Sequence, residues 1–134
     1  VQHASWEGLT PDSRVGFREK LAYAGGGILY DVGSHLLDLV GYVVSPIEAI
    51  AGSTMLIPRE RIDSKTGTLA HVETDDIASA WFVCRDGIQG QLFASRATPN
   101  SGDKAYMEVV GRDGALRASL CRNRRRIGNL TVSL

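Results

Sequence analysis

One run of residues limits how this chain can fold more than any other. Between residues 28 and 44, Ile28, Leu29, Val32, Leu36, Leu37, Leu39, Val40, Val43 and Val44 recur at helical spacing, and Ser45-Pro46 ends the pattern. A buried helix is therefore expected here. Unlike the wet face of an ordinary surface helix, it carries no long charged side chain. Its polar groups are short and directional: Asp31, His35 and Asp38. At about 100° per residue, these three share one face, with Tyr42 beside them and Gly27 and Ser34 at its border.

Two readings of that stripe follow. In one, a carboxylate satisfies His35 and the pair holds the helix against a loop or the sheet. In the other, a carboxylate one turn away orients the imidazole, fixes its tautomer and tunes its basicity for chemistry. Three titratable groups on one face favour the second. The glycines Gly25, Gly26 and Gly27 stand where the helix begins, so free N–H groups there could receive anionic or polar oxygens.

Beyond the helix the texture becomes β-rich, over residues 47 to 57, 77 to 84, 88 to 97, 105 to 110 and 115 to 120. Arg85-Asp86-Gly87 and Arg112-Asp113-Gly114 each place Asp-Gly between strand-like runs, which predicts two antiparallel hairpins. Residues 1 to 23 show little periodicity and read as an irregular lead-in. Residues 58 to 75 are polar and unpatterned, long enough for a loop that covers or borders a site. The predicted class is α+β: one domain over residues 1 to 134, with a helix on one face of a mostly antiparallel sheet. Apolar residues on both sides of the strands leave the second face for another chain or domain, with Trp81 and Phe82 as core or interface anchors.

Composition narrows the partners. Fifteen basic and fifteen acidic side chains cancel, so no overall field draws the chain toward nucleic acid or an anionic membrane. Arg122, Arg124, Arg125 and Arg126 read as a solvated cluster near the end. Cys84 and Cys121 lack metal or CxxC spacing and read as reduced core thiols. No apolar run approaches the roughly 18 residues of a membrane span, and the opening VQHASWEGLT has no signal-peptide core. A soluble, cytoplasmic protein is expected.

The chemistry open to the stripe is limited. Asp31, His35 and Asp38 could bind a divalent metal, but HExxH is absent and no metal is expected, and Ser34 lacks the GxSxG setting of a nucleophile. Acid–base work on a hydroxyl or carbonyl remains, with His35 meeting the proton and Asp31 positioning it. Arg96 could face a pocket or an interface. His71, in the long polar segment, could line an opening, and Asp75-Asp76 reads as a loop-to-strand boundary.

The stretch GGGILYDVGSHLLDL, residues 25 to 39, resembles the signature segment of the glucose-fructose oxidoreductase, inositol dehydrogenase and rhizopine-catabolism (Gfo/Idh/MocA) family. Phe17-Arg18, the run VETDDIASA, Ala94-Ser95-Arg96 and VVGRDGAL resemble further family segments in order, over about residues 14 to 120. The resemblance implies the C-terminal, glyceraldehyde-3-phosphate dehydrogenase-like domain of an NAD(P)-dependent oxidoreductase acting on sugars, inositols or related polyols. It implies His35 and Asp31 as catalytic residues, with Asp38 in a supporting or substrate-binding place; Arg96 and His71 join Asp38 as candidate substrate contacts from their positions in the chain. It also implies homo-oligomers through the open sheet. No GxGxxG is present, and Lys20, Lys65 and Lys104 lack the family's Glu-Lys-Pro setting. NAD or NADP is thus expected on an absent Rossmann domain, and the chain alone is expected to be inactive. The alternative is a non-catalytic ligand-binding, oligomerisation or regulatory module.

Overall fold

The computed structural model describes residues 2–4, 14–57, 60–97, 104–119, 122–123, 126–127 and 130–133. In chain order these form β1 (Gln2–Ala4), α1 (Leu21–Ala24), a π-helical turn (Leu29–Gly33) and α2 (Ser34–Val43). The strands β2 (Ile47–Met55), β3 (Glu60–Ile62), β4 (Leu69–His71), β5 (Ile77–Cys84) and β6 (Gln89–Ser95) follow. Then come β7 (Lys104–Val110), β8 (Ala115–Ser119), β9 (Arg122–Asn123), β10 (Arg126–Ile127) and β11 (Leu130–Ser133). Seven strands make one sheet in the order β11-β8-β7-β1-β6-β5-β2, antiparallel except where β1 runs parallel to β6. The helix on a mostly antiparallel sheet is the α+β class expected, and both hairpins form at the Asp-Gly turns.

Alternation along β5 decides which face holds the core. Ala78, Ala80, Phe82 and Cys84 point inward, while Ser79, Trp81 and Val83 point out. Leu36 and Val40 of α2, with Ile28, pack on that inner row and on Leu92, Ala94 and Met107. The small alanines let the helix lie close. Phe82 crosses the strand pair onto Gly90, where a Cβ would sit only 2.2 Å from its ring. Ser45, just past α2, donates to the Asp86 carboxylate in the β5–β6 turn at 2.7 Å, pinning the helix end to the sheet.

Three expectations are corrected. The irregular lead-in contains β1, which sits inside the sheet between β6 and β7, and a buried Val15. Three residues are too few to show a period. Within residues 58 to 75 lies the β3–β4 hairpin, and Arg61, Asp63, Thr74 and Asp76 are buried. Its polarity serves an interior ionic cluster as well as solvent. Finally, the polar stripe of the helix is not on buried surface: Asp31, His35, Asp38 and Tyr42 are all exposed.

Cys84 is a buried free thiol, whereas Cys121, Arg124 and Arg125 lie outside the described residues. Among the described residues no helix is long and apolar enough to cross a membrane.

Asp63 organises the β3–β4 turn by accepting the N–H groups of Lys65 and Thr66, at 2.7 and 3.2 Å, and by pairing with Lys20. The Lys20 hydrogen bond, then the Lys65 N–H, pull the Asp63 carboxyl down to about 2 from the ordinary 3.8. A depressed folded-state value means the stabilisation is complete above about pH 4 and lost as pH falls toward 2. Urea titrations across that window should show Lys20→Met losing part of the acid-dependent decline seen in the parent. In the core, Phe82→Ala should lower the unfolding free energy by about 3–5 kcal/mol, read from the urea midpoint at unchanged slope.

Candidate functional site

The site begins with a problem of backbone satisfaction. A helix start leaves N–H groups without partners, and here one side chain from far along the chain takes them. Asp75 Oδ1 accepts the Gly27 N–H at 3.1 Å, Asp75 Oδ2 the Leu29 N–H at 3.0 Å, and the Asp75 carbonyl the Ile28 N–H at 3.0 Å. Gly27 is required by this contact, since a Cβ there would lie 2.3 Å from Asp75 Oδ1. Of the glycine amides expected to receive a ligand's oxygens, that of Gly27 is held by the chain's own carboxylate and that of Gly25 by the Leu21 carbonyl. They do not suit a dinucleotide pyrophosphate, which would meet like charge at that point.

The π-helical turn changes the stripe as well. Ser34 N–H donates to Leu29 O, five residues back. This wider turn takes Asp31 out of the α-helical register with His35. Asp31 is instead engaged by Arg18, whose Nε lies 3.2 Å from Asp31 Oδ2. Among the described residues His35 has no hydrogen-bond partner, so its orientation by Asp31 or Asp38 is not the geometry here.

Asp31 and His35 nevertheless open onto one cleft of about 300 Å³, shared with Phe17, Arg18, Tyr23 and Tyr30. Arg18 also lies against the Phe17 ring, 4.9 Å from its centroid. Its backbone is fixed from below, where Thr74 Oγ1 donates to the Arg18 carbonyl at 2.8 Å. Glu19 O accepts the Glu73 N–H at 2.9 Å, and Glu73 accepts the Leu21 N–H at 2.8 Å. The segment bearing Phe17 and Arg18 is thus stitched to the same approach to β5 that holds the glycines.

Arg96 lines the cleft but is itself buried. Its Nε donates to Asp76 Oδ1 at 3.1 Å, and its Nη2 to Thr74 Oγ1 at 2.6 Å and the Asp75 carbonyl at 3.0 Å. Glu19 Oε1 is 3.7 Å from Nη1. Its Nε and Nη2 are engaged by the chain, which fixes its place as a wall of the cleft. Asp38 and His71 do not line the cleft; His71 pairs with Glu60 across the β3–β4 hairpin at 3.5 Å.

Of the expected site residues Asp31, His35, Asp38, Arg96 and His71, the structure brings Asp31, His35 and Arg96 to one cleft, and Phe17-Arg18 was named only as part of a resemblance. Sequence reasoning missed Asp75 as the cap. A cap normally sits beside its helix in sequence, but Asp75 and Gly27 are 48 residues apart. The cleft is also nearly charge-balanced, with Arg18 facing Asp31 and Arg96 facing Asp76 and Glu19.

Solved structures share this architecture. Levoglucosan dehydrogenase in complex with NADH and levoglucosan superposes with a TM-score of 0.79 at 19% identity, covering 98% of this chain and 38% of its own. An oxidoreductase domain protein from Kribbella flavida gives 0.79 at 20%, covering 99% and 39%. An NAD binding oxidoreductase from Klebsiella pneumoniae gives 0.76 at 20%, covering 98% and 39%. The chain thus spans about two-fifths of the length of these proteins, and at such identities the likeness establishes the fold. No curated protein matches the sequence. The sequence profile of the GFO/IDH/MocA C-terminal domain matches residues 2–117, nearly the whole of the sheet and all of the cleft, and the chain belongs to that family.

Proposed function

We propose that this chain is the substrate-binding domain of an NAD(P)-dependent oxidoreductase acting on a secondary alcohol of a neutral sugar, inositol or related polyol. The observation that carries the reading is the shared opening of Asp31, His35 and Arg18 onto one charge-balanced cleft. A phosphate or carboxylate on the substrate would be set beside Asp31 at an electrostatic cost, whereas hydroxyls suit both partners of the Arg18–Asp31 pair. Phe17, Tyr23 and Tyr30, exposed by 61, 74 and 68%, offer aromatic surface to the C–H faces of a ring. The NADH and levoglucosan complexes of levoglucosan dehydrogenase support a carbohydrate and a nicotinamide cofactor.

Oxidising a carbinol requires a proton acceptor at its hydroxyl. The neutral imidazole of His35 fills that role, and Asp31 accepts from a neighbouring hydroxyl while the Arg18 N–H groups not used on Asp31 donate to an oxygen. NAD or NADP, which supplies the two-electron chemistry, is assigned to a separate Rossmann domain, since the Asp75 carboxylate already sits on the Gly27 and Leu29 amides at the helix start. On this reading the chain is inactive alone and works in the cytoplasm within the longer protein.

A second reading, the non-catalytic oligomerisation module, draws on the outer sheet face. Trp81 is 63% exposed there and flanked by Val83 and Ser79. Large exposed aromatics on an uncovered face favour a protein contact, and homo-oligomers through this sheet fit either reading.

Turnover tests the first reading and light scattering the sheet contact. In the full-length protein, assayed with NAD+ and NADP+ against levoglucosan, myo-inositol and D-glucose, His35→Ala should cut kcat by about 100-fold or more. Its melting curve should match the parent's, as expected for an exposed side chain, and parental turnover in the variant would remove the mechanism. Light scattering should find the parent oligomeric and Trp81→Glu shifted to monomer; a monomeric parent would remove the sheet contact.

A further inference from the structure

We propose that Asp75 is a positioning residue for the Asp31–His35 arm, an inference that rests on the catalytic reading above. Asp75 touches neither residue. It grips three consecutive amides, those of Gly27, Ile28 and Leu29, at the root of the turn that carries Asp31 and leads into His35. It is also held from behind: Arg96 Nη2 donates to its carbonyl at 3.0 Å, while Arg96 Nε binds the adjacent Asp76. The glycine at position 27 admits this grip and nothing larger. The arm's root is therefore docked on a buried ionic platform. Its own sequence supplies no substitute, since neither the π-helical turn nor α2 has a side-chain cap.

The consequence is geometric. The direction in which the π-helical turn leaves Gly27 sets where Asp31 meets Arg18 and where His35 enters the cleft. Arg18 has a separate anchor through Thr74, so loss of the Asp75 grip would move one side of the cleft against the other. A shift of about 1 Å between proton acceptor and carbinol is enough to cost about two orders of magnitude in rate. The loss should fall on kcat, because the proton transfer is more demanding in geometry than the hydroxyl contacts that hold the substrate.

The test uses the full-length protein with NAD+ and whichever of levoglucosan, myo-inositol and D-glucose it oxidises fastest. Asp75→Ala should lower kcat by about 100-fold with KM within about threefold, and Asp75→Asn, which keeps one acceptor, should recover to within about tenfold of the parent. Amide hydrogen exchange should accelerate about tenfold or more over residues 27 to 35 in Asp75→Ala, with β5 and β6 unchanged. A kcat within about twofold of the parent, a loss confined to KM, or parental exchange over residues 27 to 35 would overturn the proposal. So would exchange raised equally throughout β5 and β6 in both variants, which marks plain destabilisation. Should Asp75→Ala not fold, Asp75→Asn decides: a kcat drop of about threefold or more with parental exchange in β5 and β6 supports positioning, and parental kcat removes it. If the parent oxidises none of the three compounds, the catalytic reading fails, and the exchange pattern alone decides whether Asp75 holds the arm.

Discussion

The guanidinium of Arg96 is the contact on which the other parts of this domain depend. It leaves the end of β6 and meets two segments, Thr74, Asp75 and Asp76 on the approach to β5 and Glu19 before α1. Asp76 in turn accepts the Ile57 N–H at 3.0 Å and lies 4.0 Å from Arg61 Nη2, which draws in the chain beyond β2 and the β3–β4 hairpin. Two buried cations and two carboxylates balance one another, and that balance is what makes burial tolerable. Losing one member of such a cluster leaves a stranded charge at a cost of about 3–5 kcal/mol. The same cluster supplies little net stability over an apolar core, so its value lies in fixing where chains meet.

That fixing is what the cleft uses. From one side the cluster holds Asp75, and Asp75 holds the glycine root of the helix. From the other, Thr74 and Glu73 hold the segment with Phe17 and Arg18. The two walls of the cleft are therefore referred to one rigid platform, and neither wall has side-chain capping of its own to fall back on. Close approach is paid for in residue size: glycine at 27 and 90 and alanine at 78 and 80 are each set by what lies against them. In this chain the fold of the GFO/IDH/MocA C-terminal domain thus carries a cleft whose walls hang from an interior ionic cluster.

Much of the architecture was legible in the residues. The helix over residues 28 to 44, the five long strands and both Asp-Gly hairpins emerged from local periodicity and turn chemistry, which act over a few neighbours. The three-residue β1 did not, because its place in the sheet depends on β6 and β7. The long polar segment was read as a loop because burial of Arg61, Asp63 and Asp76 depends on partners that composition cannot assign. In the site, Asp31, His35 and Arg96 line the cleft, whereas Asp38 and His71, expected beside them, do not. The relations within the cleft were not legible: the stripe drawn at an even 100° per residue was displaced by a π-helical turn, and the expected Asp31–His35 pair became an Arg18–Asp31 pair.

By itself, then, the sequence determined the class of fold and the identity of the helix that carries the acid and the imidazole. These follow from hydrophobic period and backbone sterics, which are local. Tertiary structure alone decided that the amides of Gly27, Ile28 and Leu29 would be filled by Asp75, that Arg96 would bind Asp76 and Thr74, and that Arg18 would face Asp31. Each of those is a hydrogen bond between groups distant in the chain, and only packing of the sheet brings its donor and acceptor within reach.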